Sequence, residues 1–286
     1  MSLWLDMLGA EVRFVDTPTF GRIRIAEVGR GKEPLLFLHG IGGHLEAYAK
    51  NVVPLGAEFH TIAFDYVGHG LSEKKVLDYT PLTFVDQLRE LMDALGVARA
   101  NLSGESLGGW VTALFATRYP ERVHRIMLNT SAGIPILTEK GRADLESLKA
   151  LSQKSAGQMP TFESVQARMA WLFHAKNQQL LTDELIRARL HFYQQPGMRE
   201  VAPRILKIIP RHDEFLIPLE KIRCETLFLW TLDNPVHDVE SARQACAKVA
   251  HGQLYVMKGD SAHWPQYEAA EEFNGVTRKF FTSGRV

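Results

Sequence analysis

The sequence predicts an α/β fold with a mostly parallel central sheet, flanking helices and an inserted helical lid. Short apolar runs recur along the chain without the alternation typical of half-exposed strands, which favours strands buried on both faces. Helical patterns separate several of these runs, as in doubly wound sheets. Between about residues 134 and 218 only helical periodicity remains. We therefore predict a core formed by residues 1–133 and 219–286, and a lid formed by residues 134–218.

The strands follow from these patterns in chain order. Glu11–Asp16 and Arg22–Val28 alternate apolar and polar residues around Gly21, which predicts an antiparallel hairpin with one face in water. The later runs are continuously apolar. The predicted buried strands are Pro34–His39, His60–Asp65, Ala100–Gly104, Arg125–Asn129, Thr226–Thr231 and Gln253–Lys258.

The helices are predicted from apolar residues at helical spacing. One helix spans Phe84 to Leu95, with Gly96 where a C-cap belongs, and a second stops at Tyr119-Pro120. The predicted lid helices include Leu145–Leu151, Val165–Phe173, Leu181–Phe192 and Met198–Ile209.

Composition narrows the class of partner. The 286 residues carry 33 basic and 33 acidic side chains, so no net charge favours nucleic acid or an anionic membrane. Two cysteines suggest a reducing compartment, no apolar run approaches about 18 residues, and Met1–Glu11 lacks the features of a signal peptide. We expect a soluble, cytoplasmic protein that acts on a small molecule, and leave homo-oligomerisation open.

Residues 104–108 read Gly-Glu-Ser-Leu-Gly between a predicted strand and a predicted helix. This G-x-S-x-G pattern in that context predicts a nucleophile elbow, in which a strained turn exposes the hydroxyl of Ser106 at the carboxyl edge of the sheet. The amide of Leu107 would lie at a helix N-terminus and could donate to an oxyanion. The glycine-rich segment after His39 would supply the second amide, from Ile41 or, less favoured, from Gly42.

His263 is the preferred general base among eleven histidines. It follows the last predicted strand by a short loop, which places it at the same sheet edge as Ser106 and completes the chain order serine, acid, histidine. His69, His174 and His237 are plausible pocket residues without that positional argument. The histidines and cysteines show no metal-ligand spacing, so neither a metal nor another cofactor is expected.

Several segments carry a family resemblance. They are His39-Gly40, the turn Asp65–Ser72, Gly104–Gly109, the stretch Tyr48–Pro54, and Ala262–Glu268 (AHWPQYE) followed by Glu272-Phe273-Asn274. Over nearly the whole chain the sequence resembles α/β-hydrolases. More narrowly, it resembles meta-cleavage product hydrolases, whose corresponding segments read G-H-W-x-Q-W-E and E-F-N. The resemblance implies a serine-dependent hydrolase that cleaves a carbon–carbon bond in a 2-hydroxy-6-oxohexa-2,4-dienoate from aromatic catabolism.

The sequence departs from that family at two positions. Hydrolases of this type usually carry Gly-x-x-Asp after the strand at 226–231, and counting from Thr231 puts Asn234 where the aspartate belongs. We favour Asp233 as the triad acid through a shorter loop, with Asp238 as the fallback and a triad containing Asn234 as the third possibility. Glu105 stands where the family often has asparagine.

The resemblance also implies an arginine near the substrate's carboxylate, at Arg189 on a predicted lid helix. Arg187 lies about 200° away on the same helix and would face water. Further substrate contacts are expected from Asn51, Trp171, Phe173 and Trp264. Two rival functions use the same fold: a carboxylesterase or lactonase acting on small apolar esters, and a receptor that binds a ligand with little turnover.

Overall fold

The computed structural model describes residues 2–155 and 158–286 and is built around an eight-stranded sheet. The strands are β1 (Glu11–Thr17), β2 (Gly21–Val28), β3 (Pro34–Leu38), β4 (His60–Phe64), β5 (Ala100–Glu105), β6 (Val123–Asn129), β7 (Glu225–Trp230) and β8 (Gly252–Val256). Their order is β1-β2-β4-β3-β5-β6-β7-β8. Strands β3 to β8 pair in parallel, whereas β1 and β2 are antiparallel to their neighbours. The predicted fold class is confirmed.

The predicted hairpin forms, but only one of its strands is open to water. β1 lies at the edge of the sheet and is mostly exposed. β2 pairs with both β1 and β4, and Ile23, Ile25 and Ala26 are completely buried. The alternation in the sequence of β2 was therefore a poor guide to its exposure, because Arg24 and Glu27 are buried through ion pairs.

Eleven α-helices are present in the described ranges. They are α1 (Leu3–Asp6), α2 (Ala49–Leu55), α3 (Pro81–Ala94), α4 (Leu107–Arg118), α5 (Glu139–Ser155), α6 (Phe162–Leu172), α7 (Asp183–Tyr193), α8 (Met198–Leu206), α9 (Val239–Ala247), α10 (Pro265–Glu268) and α11 (Ala270–Ser283). Short 3₁₀ segments are Leu45–Tyr48, Pro120–Arg122, Ala175–Leu180, Ile209–Phe215 and Leu219–Lys221. No helix among residues 2–155 and 158–286 is long and apolar enough to cross a membrane.

Helices α5 to α8 lie between β6 and β7, where only helical periodicity is found in the sequence. Local capping defines where two of them begin: the Thr161 hydroxyl accepts from the amide of Ser164 before α6, and the Thr182 hydroxyl accepts from the amide of Leu185 before α7. The division of the chain at 134–218 stays a prediction, and its residues 156 and 157 lie outside the described residues.

Apolar side chains cover both faces of the sheet. On one face a cluster that includes Leu36 of β3 joins the strands to α3 and α4 through Leu88 and Phe115. On the opposite face a second cluster joins the strands to α2 and α11 through Val52 and Phe280. Because β3, β5, β7 and β8 are parallel, the loops that follow them meet at one edge of the sheet. That edge carries the candidate site.

Candidate active site

Ser106 lies in a strained turn between β5 and α4. Its backbone has φ 54° and ψ −115°, a conformation that residues with a Cβ rarely adopt. The flanking glycines make the turn possible, because a Cβ at Gly104 would collide with the backbone of Gly108, and a Cβ at Gly108 with the carbonyl of Leu38. The strand–turn–helix context predicted for Ser106 is therefore present.

A cavity between the sheet edge, helices α5 to α7 and the segment that follows α8 brings together most of the predicted site. The predicted residues that line it are Ser106, His263, Ile41, Leu107, Arg189, Trp171 and Trp264. Much of the remaining lining is apolar and includes Leu145, Leu148, Leu172, Ile208, Ile209 and Val236. This cavity would enclose a largely apolar ligand that carries a few polar groups.

Asn51 does not line this cavity. Its side chain is completely buried, and its Nδ2 donates at 2.9 Å to the carbonyl of Gln266 and at 2.9 Å to Oδ1 of Asn274. These bonds tie α2 to the C-terminal helices. The predicted substrate contact at Asn51 is therefore corrected to a structural role.

Phe173 and Gly42 also lie outside the cavity lining. The Phe173 ring packs against Trp264, with centroids 5.6 Å apart, so it supports a lining residue rather than contacting the cavity. The carbonyl of Gly42 accepts a hydrogen bond from the Tyr193 hydroxyl at 2.8 Å, which anchors the glycine-rich segment to α7. Ile41 is thus the better placed of the two predicted amide donors.

His263 is held by an asparagine. Its Nδ1 lies 2.7 Å from Oδ1 of Asn234, and the Nδ2 of the same amide donates to the carbonyl of His237. The second bond fixes which way the amide points, so the oxygen faces the imidazole and Nδ1 must carry the proton. The carbonyl of His263 accepts from the Thr130 hydroxyl at 3.0 Å, which further fixes the loop.

The expectation that Asp233 orients His263 is wrong. The Asp233 side chain is 62 % exposed and lies 3.3 Å from Nε2 of His174, outside the cavity. The fallback, Asp238, caps α9 by accepting from the amide of Ser241 at 2.9 Å. The loop after β7 turns Asp233 into water and buries the neutral Asn234, because burying an unpaired carboxylate costs more than burying an amide with both ends bonded.

A carboxylate nevertheless reaches His263 from the other side. Oε1 of Glu105 lies 3.1 Å from His263 Nε2, and Oε2 accepts from the amide of Gly40 at 2.7 Å. Glu105 is 1 % exposed and lines the cavity. In the sequence Glu105 stands out only as a departure from the family, because nothing in the spacing indicates which way its side chain leaves the strand end.

Arg189 is buried at the cavity wall. Its Nε donates to the Tyr193 hydroxyl at 3.1 Å, and its guanidinium lies 5.4 Å from the centroid of the Trp264 ring. Its Nη1 is buried and has no hydrogen-bond partner in the described chain. A buried cationic N–H without an acceptor favours an anionic ligand, because an acceptor would offset the cost of desolvating it.

A second arginine, Arg168 on α6, lines the same cavity and was missed. Its guanidinium stacks on Trp171, 4.9 Å from the ring centroid, and forms no ion pair within residues 2–155 and 158–286. Burial, and then the charge of Arg189, lower the pKa of Arg168 to about 10. A signal was available in the sequence, since Arg168 lies three residues before Trp171 and hence on the same helix face.

Two buried histidines complete the polar lining. His237 has no hydrogen-bond partner at either ring nitrogen in the described chain, and burial, followed by the charges of His212 and His263, holds its pKa well below the usual value. Burial also lowers the pKa of His212, whose ring lies 5.6 Å from that of His237. Both rings are therefore neutral at pH 7. The ring nitrogens of His212 are already bonded to the Gly133 amide and to Asp213, so His237 is the one of the two that can offer a hydrogen bond to a ligand without adding charge.

Comparison with known proteins gives a consistent family. The family model described as "alpha/beta hydrolase fold" matches residues 33–270. A 2-hydroxy-6-oxononadienedioate/2-hydroxy-6-oxononatrienedioate hydrolase of Escherichia coli strain K12 is 27 % identical over 284 residues, covering 95 % of this chain and 96 % of its own. A 2-hydroxy-6-oxo-6-phenylhexa-2,4-dienoate hydrolase of Burkholderia cepacia is 28 % identical over 271 residues, 92 % of each chain.

A solved structure agrees with the sequence relatives. The meta-cleavage product hydrolase of Pseudomonas fluorescens IP01, an S103A mutant complexed with acetates, superposes with a TM-score of 0.78. It is 26 % identical in sequence, and the match covers 96 % of this chain and 98 % of that one. The same architecture therefore extends over both the strand-rich part of the chain and helices α5 to α8.

Proposed function

Because this chain belongs to the α/β-hydrolase family, we propose that it is a serine-dependent hydrolase cleaving a carbon–carbon bond in a 2-hydroxy-6-oxohexa-2,4-dienoate. The observation that carries the proposal is the buried Nη1 of Arg189, which has no hydrogen-bond partner among the described residues and lies in the cavity that also exposes Ser106 and His263. A simple ester needs no cation at that position, whereas a dienoate brings a carboxylate to it. Relatives of this chain named for such substrates support the same choice.

Asn234 prepares His263 to act as a base. Since the amide oxygen accepts from Nδ1–H, Nε2 is the nitrogen left to exchange a proton with Ser106, and it faces both the cavity and the Glu105 carboxylate. In serine proteases the same aspartate-to-asparagine exchange costs roughly 10⁴-fold because it gives the wrong tautomer. Here the amide NH₂ is engaged by the carbonyl of His237, so the productive tautomer is retained.

The reaction proceeds in two stages. The dienol first ketonises, moving the proton of its 2-hydroxyl to C5 and making the C5 fragment a stable leaving group. Ser106 Oγ then adds to the C6 carbonyl while its proton passes to His263 Nε2, and the amides of Ile41 and Leu107 stabilise the C6 oxyanion. The C5–C6 bond breaks with its electrons delocalised into the 2-oxo group, and the proton on His263 returns to the departing dienolate.

Hydrolysis of the acyl group completes the cycle. His263 takes a proton from water as it attacks the acyl carbon on Ser106, and then returns the proton to Oγ, so that a carboxylic acid leaves and the enzyme is restored. Arg189 would bind the carboxylate at C1 throughout, and could also polarise the adjacent 2-oxygen. We propose residues 134–218 as the lid that encloses the ligand.

The relatives' substrates define the experiment. The Escherichia coli relative is named for a dioate and the Burkholderia cepacia relative for a 6-phenyl compound, so the panel should pair a dienedioate with a 6-phenyl dienoate and a neutral aryl ester. Turnover of dienoates would be followed by loss of their conjugated absorbance. We expect kcat/KM to favour at least one dienoate over the ester, with Ser106→Ala abolishing turnover of both.

The panel can also reject the proposal. If the ester is preferred and no dienoate is turned over, the protein is a carboxylesterase. If Ser106→Ala retains activity within a few-fold of the unaltered protein on dienoates, the serine mechanism fails. Circular dichroism of Ser106→Ala serves as the folding control, since the turn depends on Gly104 and Gly108.

A receptor is the second candidate function, and Asn234 is the observation that favours it. An asparagine on Nδ1 cannot compensate the charge of an imidazolium, so chemistry would be slow while ligand binding is unaffected. Calorimetric titration with a dienoate separates the two functions. A receptor would bind the dienoate unchanged, whereas the proposed enzyme would consume it.

A further inference from the structure

His263 has an acceptor at each ring nitrogen, but the two acceptors differ in charge. Asn234 meets Nδ1 with an amide oxygen at 2.7 Å, while Glu105 meets Nε2 with a carboxylate oxygen at 3.1 Å. Among residues 2–155 and 158–286 Glu105 is the acidic side chain that contacts this ring. The carboxylate that a triad would place beside Nδ1 is thus replaced by an amide oxygen, and a carboxylate lies beside Nε2 instead.

Gly40 both accommodates and binds this carboxylate. Glu105 is the last residue of β5, immediately before the strained turn at Ser106. A Cβ at Gly40 would lie 2.6 Å and 2.8 Å from the two carboxylate oxygens, so a larger residue there would displace the carboxylate from this position. The amide of Gly40 instead donates to Oε2 and anchors the group.

Burial makes the partnership with His263 energetically significant. A carboxylate removed from water needs a cation or several donors, and Glu105 has one backbone donor and one imidazole. When His263 takes a proton, the pair becomes a buried ion pair. The positive charge that this step creates on the ring is therefore compensated by the adjacent Glu105 carboxylate.

We propose that Glu105 supplies the negative charge that stabilises the His263 imidazolium, while Asn234 sets the tautomer. The inference rests on the proposed serine mechanism and deepens it. The Ser106 proton passes to His263 Nε2, the positive ring is held between the Glu105 carboxylate and the Asn234 amide oxygen, and Glu105 itself gains no proton. The orienting and charge-compensating tasks of one triad acid are divided between two residues.

Other charged or titratable groups around the ring do not take this role. His237 is neutral, because burial keeps its pKa well below the usual value. The Glu268 carboxylate is occupied by the amides of Ala262 and Trp264, on either side of His263. Arg189, stacked on Trp264, carries the same charge as the imidazolium and can only oppose it.

The decisive experiment moves the charge from one side of the ring to the other. Glu105→Gln keeps the size of the side chain and an oxygen for the Gly40 amide but removes the charge. We expect kcat on a dienoate to fall on the order of 10²-fold with KM changed little, and the acidic limb of the kcat/KM profile to move to lower pH. Adding Asn234→Asp should restore kcat to within about ten-fold of the unaltered protein, because the new carboxylate meets Nδ1.

Glu90→Gln is the matched control. Glu90 is also buried and also accepts a backbone amide, from Thr19 at 2.9 Å, but it lies on α3 and outside the cavity. It should alter stability without moving the pH profile. Glu105→Gln with unchanged kcat, or a loss that Asn234→Asp does not recover, would overturn the inference.

Two further measurements keep the outcomes distinct. Nitrogen-15 NMR of the His263 ring at one fixed pH, in Ser106→Ala and in Ser106→Ala/Glu105→Gln, reads the charge effect without turnover, and the fraction of rings protonated on both nitrogens should be smaller in the second protein. An equal fraction in both would contradict the inference even if the single variant were unstable. Retained activity in Ser106→Ala would instead refute the serine mechanism itself, and the NMR comparison would still measure the charge effect on the ring.

Discussion

Arg187 and Arg189 lie two residues apart on α7 and have opposite environments. Arg189 is 3 % exposed at the cavity wall, whereas the Arg187 side chain is 68 % exposed and lies 3.7 Å from Asp183 on the same helix. The roughly 200° between residues i and i+2 of an α-helix accounts for the difference. The pair provides a variant and its control on one element.

Arg189→Gln should weaken catalysis selectively on dienoates. Loss of a charged hydrogen bond to the substrate carboxylate is expected to lower kcat/KM by about 1.5–3 kcal/mol, or on the order of 10- to 150-fold. Hydrolysis of a neutral aryl ester by the same variant should change little. Steady-state kinetics on both substrates measures the difference.

Arg187→Gln should leave both rates unchanged, because Arg187 faces water. Equal losses on the dienoate and the ester in Arg189→Gln would show that Arg189 supports the fold of the cavity rather than a carboxylate. The esterase function would then be the better proposal.

Arg168→Gln should have opposite effects on stability and binding. Burial and the charge of Arg189 already lower the pKa of Arg168 to about 10, which means that the two guanidinium groups repel each other in the ligand-free protein. Removing one charge should leave thermal stability unchanged or raise the Tm by a few degrees, since about 1 kcal/mol corresponds to roughly 2–4 °C in a protein of this size class.

Arg168→Gln should weaken the binding of a ligand that carries two carboxylates. A dienedioate, which carries a second carboxylate, should lose more affinity in Arg168→Gln than a 6-phenyl dienoate does, as measured by calorimetry in the Ser106→Ala background. Arg243→Gln, an exposed arginine on α9, serves as the charge control. Equal losses of affinity for the two ligands would show that Arg168 does not bind the second carboxylate.

Acid stability should depend on Glu46, which lies in a cluster beneath α7. Arg24 donates to both Glu46 oxygens at 2.8 Å, and Nδ1 of His44 lies 2.9 Å from Oε2. Burial opposes ionisation of Glu46, but the hydrogen bond with His44 and the charge of Arg24 outweigh it and lower its pKa to about 2. The folded state therefore favours the ionised form relative to an unfolded chain.

The sign of the pH effect follows from that lowered pKa. The stability contributed by Glu46 is complete above its ordinary pKa near 4.5 and is lost as the pH falls toward 2. Glu46→Gln should lower the free energy of unfolding by about 1–3 kcal/mol at pH 7, with the difference shrinking below pH 4.5. Urea unfolding across this range, with exposed Glu214→Gln as the control, measures it; a pH-independent difference would contradict the argument.

The sequence was sufficient where a pattern has one physical meaning. Continuous apolar runs predicted the parallel strands, and the glycines around Ser106 predicted the strained turn. It was insufficient where a one-residue register decides the outcome. Whether Asp233 or Asn234 turns inward depends on the free energy of burying each side chain and on the hydrogen-bond partners that the fold offers it. Those partners are His263, which lies 29 residues from Asn234, and the backbone carbonyl of His237, whose direction no sequence pattern indicates.

The same limit explains Glu105 and Asn51. The direction of the Glu105 side chain follows from the space left by Gly40, a residue 65 positions away. Asn51 lies in a stretch that resembles a functional family, but its Nδ2 donates to Gln266 and Asn274 and its side chain does not line the cavity. Resemblance identifies which segment meets the site, and only packing identifies which side chain enters it.

Asn234, rather than either nearby aspartate, should control turnover. Asn234→Ala removes the acceptor from Nδ1–H of His263 and frees the imidazole to adopt the tautomer with its proton on Nε2, which cannot accept the Ser106 proton. We expect kcat to fall on the order of 10²-fold or more, within the range of a lost general base. Steady-state kinetics on a dienoate, followed by the loss of its conjugated absorbance, measures this fall in kcat.

The two aspartates should behave differently from Asn234 and from each other. Asp233→Asn removes an exposed contact with His174, and because exposed ion pairs contribute about 0–1 kcal/mol, kcat should stay within about two-fold. The Asp238 carboxylate caps α9 by accepting from the Ser241 amide, and Asp238→Asn weakens that bond. The free energy of unfolding should therefore fall by up to about 1 kcal/mol, with kcat retained. A larger loss of kcat in Asp233→Asn than in Asn234→Ala would mean that the loop after β7 rearranges when substrate binds and brings the carboxylate to His263.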